Sequence, residues 1–87
     1  MIDVRRKDDD TFTVTVQEEG GRTTHTVTLD DEYYQALTGG ALSKAELIRK
    51  SFEFLLAREP KESILSSFEL PVIQTYFPEY EKRIGGG

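Results

Sequence analysis

The chain has 87 residues, a formal net charge of −5 and no cysteine. This length predicts one small domain, and the lack of cysteine excludes disulfides, thiolate zinc sites and a cysteine nucleophile. The acidic charge of the whole chain disfavours nucleic acid as a partner. No apolar leader follows Met1 and no apolar run has the length of a membrane span, so we expect a protein of the cytoplasm without a membrane partner.

The N-terminal part of the chain alternates between apolar and polar side chains, as half-buried strands do. Its apolar positions are Ile2, Val4, Phe12, Val14, Val16, Val27 and Leu29. The polar turn at 7–10 separates the first two stretches, and Gly20 with Gly21 marks a hairpin between the second and the third. The pattern predicts a three-stranded antiparallel β-meander with one apolar face and one face of threonines.

A short helix is predicted after the third strand. Asp30 or Asp31 caps it, and it extends from Glu32 to Leu37. Gly39 and the glycine after it end this helix, because glycine readily adopts the left-handed conformation at a helix C-terminus.

The strongest local signals belong to a central helix that begins at Lys44. Ser43 caps its first turn, Glu46 three residues later completes a capping box, and Pro60 stops the helix near 58–59. The positions expected to be buried are Leu47, Ile48, Ser51, Phe52, Phe54, Leu55 and Leu56. They sweep roughly 200° around the helix axis, which is more than one sheet face covers. The helix therefore needs a second apolar surface.

The tail after Pro60 is rich in aliphatic and aromatic residues and supplies that second surface. Pro60 and Pro71 each stand where a short helix begins, so the tail is predicted to wrap the central helix with two helical turns. The expected fold is thus α+β: the three-stranded antiparallel β-meander packed against the central helix, with one short helix and a wrapped C-terminal helical tail. Residues 1–84 form the single domain, and residues 85–87 form a flexible glycine end.

Catalytic chemistry finds little support in the sequence. His25 is the sole histidine and lies on the apolar side of its strand, where a structural role is expected. One histidine and scattered acids do not make a zinc site, and the acidic turn Asp8–Asp10 lacks the ligand spacing of a calcium loop. We therefore expect no enzyme activity, no cofactor and no metal.

Aromatic residues near the C-terminus are candidates for binding a partner, because aromatic side chains dominate interface hot spots. They are Tyr76, Phe77 and Tyr80. Tyr76 and Phe77 are expected to pack mainly in the core. Tyr80 follows Pro78 and is the one expected to be exposed.

Residues 23–59 resemble the ribbon-helix-helix family of DNA-binding regulators and antitoxins. The similarity lies in THTVTLDDEYYQAL followed by LSKAELIRKSFEFLLARE, in which a strand leads to a capped helix and a second helix begins with Ser-x-x-Glu-Leu-Ile. The resemblance implies a dimer that binds DNA. It implies that Thr24, Thr26 and Thr28 face the major groove, and that the backbone at Ser43 and Lys44 meets a phosphate.

Two further resemblances concern the C-terminal half. The segment FEFLLAREPKESILSSFELPVIQTYFPEY is similar to the C-terminal half of small bacterial proteins of unassigned function. The terminal glycines resemble those of ubiquitin-like modifiers, although the element order differs. The main expectation is a small, non-enzymatic bacterial interaction or regulatory protein that acts through contacts with a protein partner or a second copy. A DNA-binding regulator is the alternative, and a modifier is a third interpretation.

Overall fold

The computed structural model describes residues 1–18 and 20–85, and within them the fold is α+β. Four strands form one sheet in the order β1-β2-β3-β4. They are β1 Ile2–Arg6, β2 Thr11–Glu18, β3 Gly21–Thr28 and β4 Ser67–Glu69. The helices are α1 Asp31–Thr38, α2 Lys44–Leu56, α3 Val72–Tyr76 and α4 Tyr80–Gly85, with a 3-10 turn at Lys61–Ser63. No helix in the described ranges has the length and apolar character to cross a membrane.

The predicted antiparallel meander is confirmed for β1, β2 and β3. Val4 pairs with Val14, and Val14 in turn pairs with His25, so the inward side chains of the three strands form continuous rows. These rows and α2 enclose the core. Its fully buried side chains include Val14, Val16, Val27, Leu29, Leu47, Ile48 and Phe52. The alternation of apolar and polar side chains predicted these strands correctly because each strand has one buried face.

A three-stranded sheet was an incomplete prediction, because a fourth strand pairs with β3. Strand β4 lies parallel to β3, with Thr26 opposite Ser67 and Thr28 opposite Glu69. The segment between them contains α1, α2 and the 3-10 turn, so this pairing is set by tertiary packing and not by a local hairpin. The tail therefore extends the sheet as well as covering α2.

Helix α1 begins and ends with the predicted signals. The carboxylate of Asp30 accepts a hydrogen bond of 2.7 Å from the backbone N–H of Tyr33. Gly39 ends the helix with φ 63° and ψ 16°, the left-handed conformation that favours glycine. The helix is one residue longer at each end than predicted, spanning Asp31–Thr38.

Helix α2 confirms the capping box. Ser43 Oγ accepts the Glu46 N–H at 3.1 Å, and Glu46 Oε1 accepts the Ser43 N–H at 3.1 Å. The helix ends at Leu56, slightly earlier than predicted, because the N–H of Arg58 bonds back three residues instead of four, to the carbonyl of Leu55. The wide buried arc is also confirmed by Leu47, Ile48, Ser51, Phe52, Phe54 and Leu55.

The tail packs as predicted, and the two helical turns expected after Pro60 and Pro71 are present as the 3-10 turn and α3. It also contains β4 and α4, which were not predicted. Helix α4 is anchored by Tyr80, whose hydroxyl lies 2.6 Å from Ser51 Oγ in the core. The predicted glycine end begins at Gly85, which is the last residue of α4, whereas Gly86 and Gly87 lie outside the described residues. The modifier interpretation therefore stays a prediction.

Candidate functional site: an apolar groove beside β4

An open groove lies between the C-terminal end of α2, the residues that lead into β4, and α3. Its volume is about 300 Å³, at the lower end of ligand-binding clefts. The lining residues are Leu55, Glu59, Ser63, Ile64, Leu65, Phe68, Val72, Ile73, Tyr76 and Phe77. Most of this surface is aliphatic or aromatic, which suits the burial of apolar groups from a partner.

The groove contains two unusually exposed apolar side chains. Tyr76 is 65% exposed and Leu65 is 46% exposed. Met1, at the end of the chain, is the other large hydrophobic residue exposed to this degree in the described ranges. Single exposed apolar residues are common on protein surfaces, whereas here two of them lie on one concave surface.

The position of the groove follows from buried residues on either side of it in sequence. Ile64 and Leu70 are buried and fix the two ends of the segment that contains β4. Ile73 is buried below α3, whereas Tyr76, at the end of this one-turn helix, lies exposed at the rim. The core thus holds the two ends of this segment, and the side chains between the ends remain at the surface.

His25 fixes the segment that carries Leu65. It is 2% exposed, and its Nδ1 lies 2.7 Å from the carbonyl oxygen of Leu65. Because a carbonyl only accepts, Nδ1 carries a proton and donates it to this bond, while Nε2 forms a second hydrogen bond of 2.8 Å with the Thr23 hydroxyl. The ring also packs on Phe52, with 5.3 Å between centroids. The buried location expected from the sequence is confirmed, and it positions one side of the groove.

Aromatic packing supports the groove from below. Phe68 on β4 packs on Phe52 of α2 with ring centroids 6.0 Å apart. Phe77 meets Phe54 edge to face at 5.9 Å, and Tyr80 meets the same Phe54 ring at 5.3 Å. Such contacts hold rings in fixed positions and add to the stability gained from burial. These ring contacts join β4 and the tail to α2 beside the groove.

The charged side chains close to the groove differ in whether they are already paired. Glu59 lines it, whereas the neighbouring cations are engaged elsewhere. Lys61 is 7% exposed and its Nζ lies 3.0 Å from Glu62, whose pKa is lowered by the hydrogen bond from Lys61. Arg58 lies 3.2 Å from Glu79 and stacks over the Phe54 ring at 3.6 Å.

The three predicted partner-binding residues separate in the structure. Tyr76 and Phe77 line the groove, with Tyr76 exposed and Phe77 half-buried. Tyr80 is fully buried, so the expectation that it is exposed was wrong. Its burial in the core raises its pKa. The expectation that Tyr76 packs in the core was also wrong, because its side chain is exposed at the end of α3. Leu65 and Phe68 were not identified from the sequence.

The threonines assigned to DNA form a regular array on the outer sheet face. Thr24, Thr26 and Thr28 of β3 lie opposite Thr15, Thr13 and Thr11 of β2, respectively. Helix α2 packs against the other face, where the buried apolar side chains lie. Strand β3 is bonded to β2 on one side and to β4 over 26–28 on the other.

At the start of α2, the Ser43 N–H, one of the backbone groups expected to meet a phosphate, donates to Glu46 Oε1, and the Lys44 side chain is paired within the chain. Lys44 Nζ lies 2.6 Å from Asp31 and 3.2 Å from Asp10, and its side chain is 11% exposed. The hydrogen bond to Asp31 raises the pKa of Lys44. Ser43 Oγ accepts the N–H of Glu46 in the capping box. These contacts tie α1, α2 and the turn before β2 together.

A second cleft beside α4 is more polar. Its lining residues are Lys50, Glu53, Phe54, Arg58, Arg83 and Ile84. Charges of both signs meet there, and Arg58 is already bonded to Glu79.

No group of three or more histidine, aspartate or glutamate residues within 1–18 and 20–85 is arranged to hold a metal ion. No protein-family model, curated protein or solved structure matches the chain.

Proposed function

We propose that this chain is a small, non-enzymatic interaction protein of the bacterial cytoplasm, and that it binds a protein partner in the groove beside β4. The observation that carries the proposal is the joint exposure of Leu65 and Tyr76 on one concave apolar surface. The bacterial origin rests on the resemblance of the C-terminal half, and the cytoplasm on the absence of cysteine.

Energetic considerations support a binding role. Burial of apolar surface contributes about 25 cal/mol per Å², and a tyrosine loses little conformational entropy when it becomes ordered at an interface. Tyr76 offers such an anchor in the groove that Phe77 also lines. A partner that covers Tyr76 and Leu65 gains this burial without any rearrangement of the core.

Paired surface variants test the proposal. Tyr76→Ser and Leu65→Ser remove the apolar rim of the groove, and Thr24→Ala on the outer sheet face is the matched exposed control. Each variant, purified and immobilised, is used to capture proteins from bacterial extract, followed by mass spectrometry. We expect one partner to be retained by the native chain and by Thr24→Ala, and lost by both groove variants. Retention by the groove variants would refute the groove as the binding surface.

The DNA-binding alternative is supported by the row of outward threonines on β3 and by the resemblance of residues 23–59. It requires β3 to form a ribbon with a second copy, so β4 would have to leave Thr26–Thr28. This function predicts a dimer whose binding to duplex DNA weakens steeply with added salt. Titration of fluorescent duplex DNA at low salt tests it, and a monomer without binding would contradict it.

A further inference from the structure

The two edges of the sheet differ in the backbone groups that they present. On either side of β4, the Ser66 carbonyl accepts from the Thr26 N–H and the Leu70 N–H donates to the Thr28 carbonyl, so both bonds join the segment to β3. Because backbone groups alternate direction along a strand, the N–H and C=O groups of Ser67 and Glu69 point to the outer edge. The groove residues Leu65 and Phe68 belong to the same segment.

The opposite edge, formed by β1, is protected. Arg49 donates a hydrogen bond of 2.6 Å to the outward carbonyl of Ile2. The backbone of Arg6 also faces outward, and its guanidinium donates a hydrogen bond of 2.9 Å to the carbonyl of Asp9. Cationic side chains at a sheet edge oppose the addition of another strand. Strand β4 carries no cation in its Ser67–Glu69 sequence and lies beside an apolar groove.

We propose that the partner binds as an extended segment that adds to the outer edge of β4 and carries alternating apolar and basic residues. This inference rests on the proposed function of the groove and specifies how the partner occupies it. Main-chain hydrogen bonds to Ser67 and Glu69 set the register of the added segment. Its inward side chains lie next to Phe68, which faces the same side as the buried Val27.

Charge determines the composition of the added segment. Ser67 and Glu69 lie opposite Thr26 and Thr28, so their side chains share the outer face, and both are exposed. Outward residues of an added strand therefore lie beside the Glu69 carboxylate, and the groove that receives its inward residues is itself lined by the Glu59 carboxylate. In a chain of net charge −5, lysine or arginine at these positions is favoured and a second acidic copy is disfavoured.

The length of β4 limits the strength of the backbone contribution. It pairs with β3 over three residues, so the outer edge offers few ladder hydrogen bonds. Most of the affinity therefore comes from apolar side chains that enter the groove, and the backbone contacts select an extended conformation. This division predicts that loss of the outward Ser67 N–H weakens binding about tenfold and does not abolish it.

A proline variant isolates the edge hydrogen bonds. Ser67→Pro removes an N–H that points away from β3, so the β3 ladder is kept, and proline is tolerated at such edge positions. Ser67→Ala is the matched control. The probes are two synthetic peptides of about eight residues, one alternating valine with lysine and one alternating valine with glutamate. Binding is followed by amide chemical shifts of the isotopically labelled full-length chain, which also report that each variant is folded.

The expected result is binding of the lysine peptide at low salt, with shifts at residues 65–69 and 76–77. Ser67→Pro weakens it about tenfold, Ser67→Ala does not, and the glutamate peptide binds more weakly. Equal affinity of Ser67→Pro and the native chain, or shifts elsewhere, would overturn strand addition. Absence of binding by the lysine peptide would overturn the proposed composition.

The outcomes separate this inference from the proposed function. A cellular partner lost with Tyr76→Ser but retained with Ser67→Pro leaves the groove as the binding surface and overturns strand addition. A doubled solution mass of the native chain that Ser67→Pro returns to a monomer would identify the occupant as a second copy, which contradicts a separate basic segment.

Discussion

The imidazole of His25 and the backbone carbonyl of Leu65 lie 2.7 Å apart, so a buried side chain of β3 holds one rim of the groove in place. The bond joins residues 40 positions apart in the chain. It connects the packing of the core with the shape of the proposed binding surface, and it leads to the first prediction.

Replacement His25→Phe keeps an aromatic ring in the core but removes the donor to Leu65. We expect a loss of about 1–3 kcal/mol in the free energy of unfolding, because the partly buried hydrogen bonds to Leu65 and to Thr23 are both lost. We also expect faster amide hydrogen exchange at residues 64–66, where the anchored segment loosens. Urea unfolding and exchange followed by magnetic resonance measure the two effects.

Thr23→Val serves as the control for His25→Phe. It removes the hydroxyl that lies 2.8 Å from Nε2 and leaves the bond between His25 and Leu65 in place. Exchange at residues 64–66 should then stay at the native rate. Equal acceleration in both variants would show that His25 does not position this segment specifically.

The buried hydroxyl pair of Ser51 and Tyr80 predicts an asymmetry between two small deletions. Ser51 Oγ donates to the Leu47 carbonyl at 2.8 Å, so Tyr80 is the donor in the 2.6 Å bond to Ser51. Tyr80→Phe leaves Ser51 with a partner and should cost about 0.5–1.5 kcal/mol. Ser51→Ala leaves the Tyr80 hydroxyl buried without an acceptor and should cost about 1–3 kcal/mol.

A double-mutant cycle checks this asymmetry. The variant with both substitutions should be less destabilised than the sum of the single variants, because neither hydroxyl is then left without its partner. Denaturation of the native chain and the variants by urea gives the change in the free energy of unfolding for each of the three variants. A larger cost for Tyr80→Phe than for Ser51→Ala would contradict the assignment of donor and acceptor.

Two tyrosines predict a loss of stability in alkali. Burial raises the pKa of Tyr80, and burial together with the hydrogen bond to Glu81 raises that of Tyr33. Their contribution to stability is complete below the ordinary tyrosine pKa of about 10 and is lost as the pH rises above it. In an alkaline titration followed by the ultraviolet absorbance of tyrosinate, a part of the absorbance change should therefore occur only as the protein unfolds. Tyr80→Phe should reduce that part, and an unchanged titration would oppose the prediction.

The capping box predicts a dependence of stability on acid. Hydrogen bonds from the backbone and the side chain of Ser43 lower the pKa of Glu46 below its usual value of 4.5. Its stabilising effect is therefore complete above that value and is lost as the pH falls below it. Glu46→Gln preserves a capping-box residue and should flatten the fall in urea midpoint between about pH 6 and about pH 3. An unchanged fall would assign the acid sensitivity to other carboxylates.

Local signals explain why much of the fold could be predicted from the sequence. The capping box at Ser43 and Glu46 depends on residues close in the chain, and alternation defines β1, β2 and β3 without knowledge of their neighbours. Strand β4 could not be predicted in this way. Its three residues, Ser67–Glu69, contain one apolar side chain, and its pairing with β3 comes from packing of distant segments.

The candidate site was harder to predict, because exposure in the tail depends on tertiary contacts. Pro78 suggested that Tyr80 lies beyond the packed structure, yet the chain turns back and inserts this ring beside Ser51. Tyr76 resembles a core residue in sequence, but Ile73 occupies the inward position of α3. Nothing in the sequence marked Leu65 as exposed, because its exposure results from the burial of its neighbour Ile64.

Site-specific photo-crosslinking in living cells tests the central claim most directly. A photoreactive amino acid replaces Tyr76 in the groove or, as the control, Thr24 on the outer sheet face. The account predicts that one protein crosslinks from position 76 after irradiation, and that position 24 gives no such product. Crosslinks from position 24 alone, or no protein adduct from position 76 in folded protein, would contradict the groove as the binding surface.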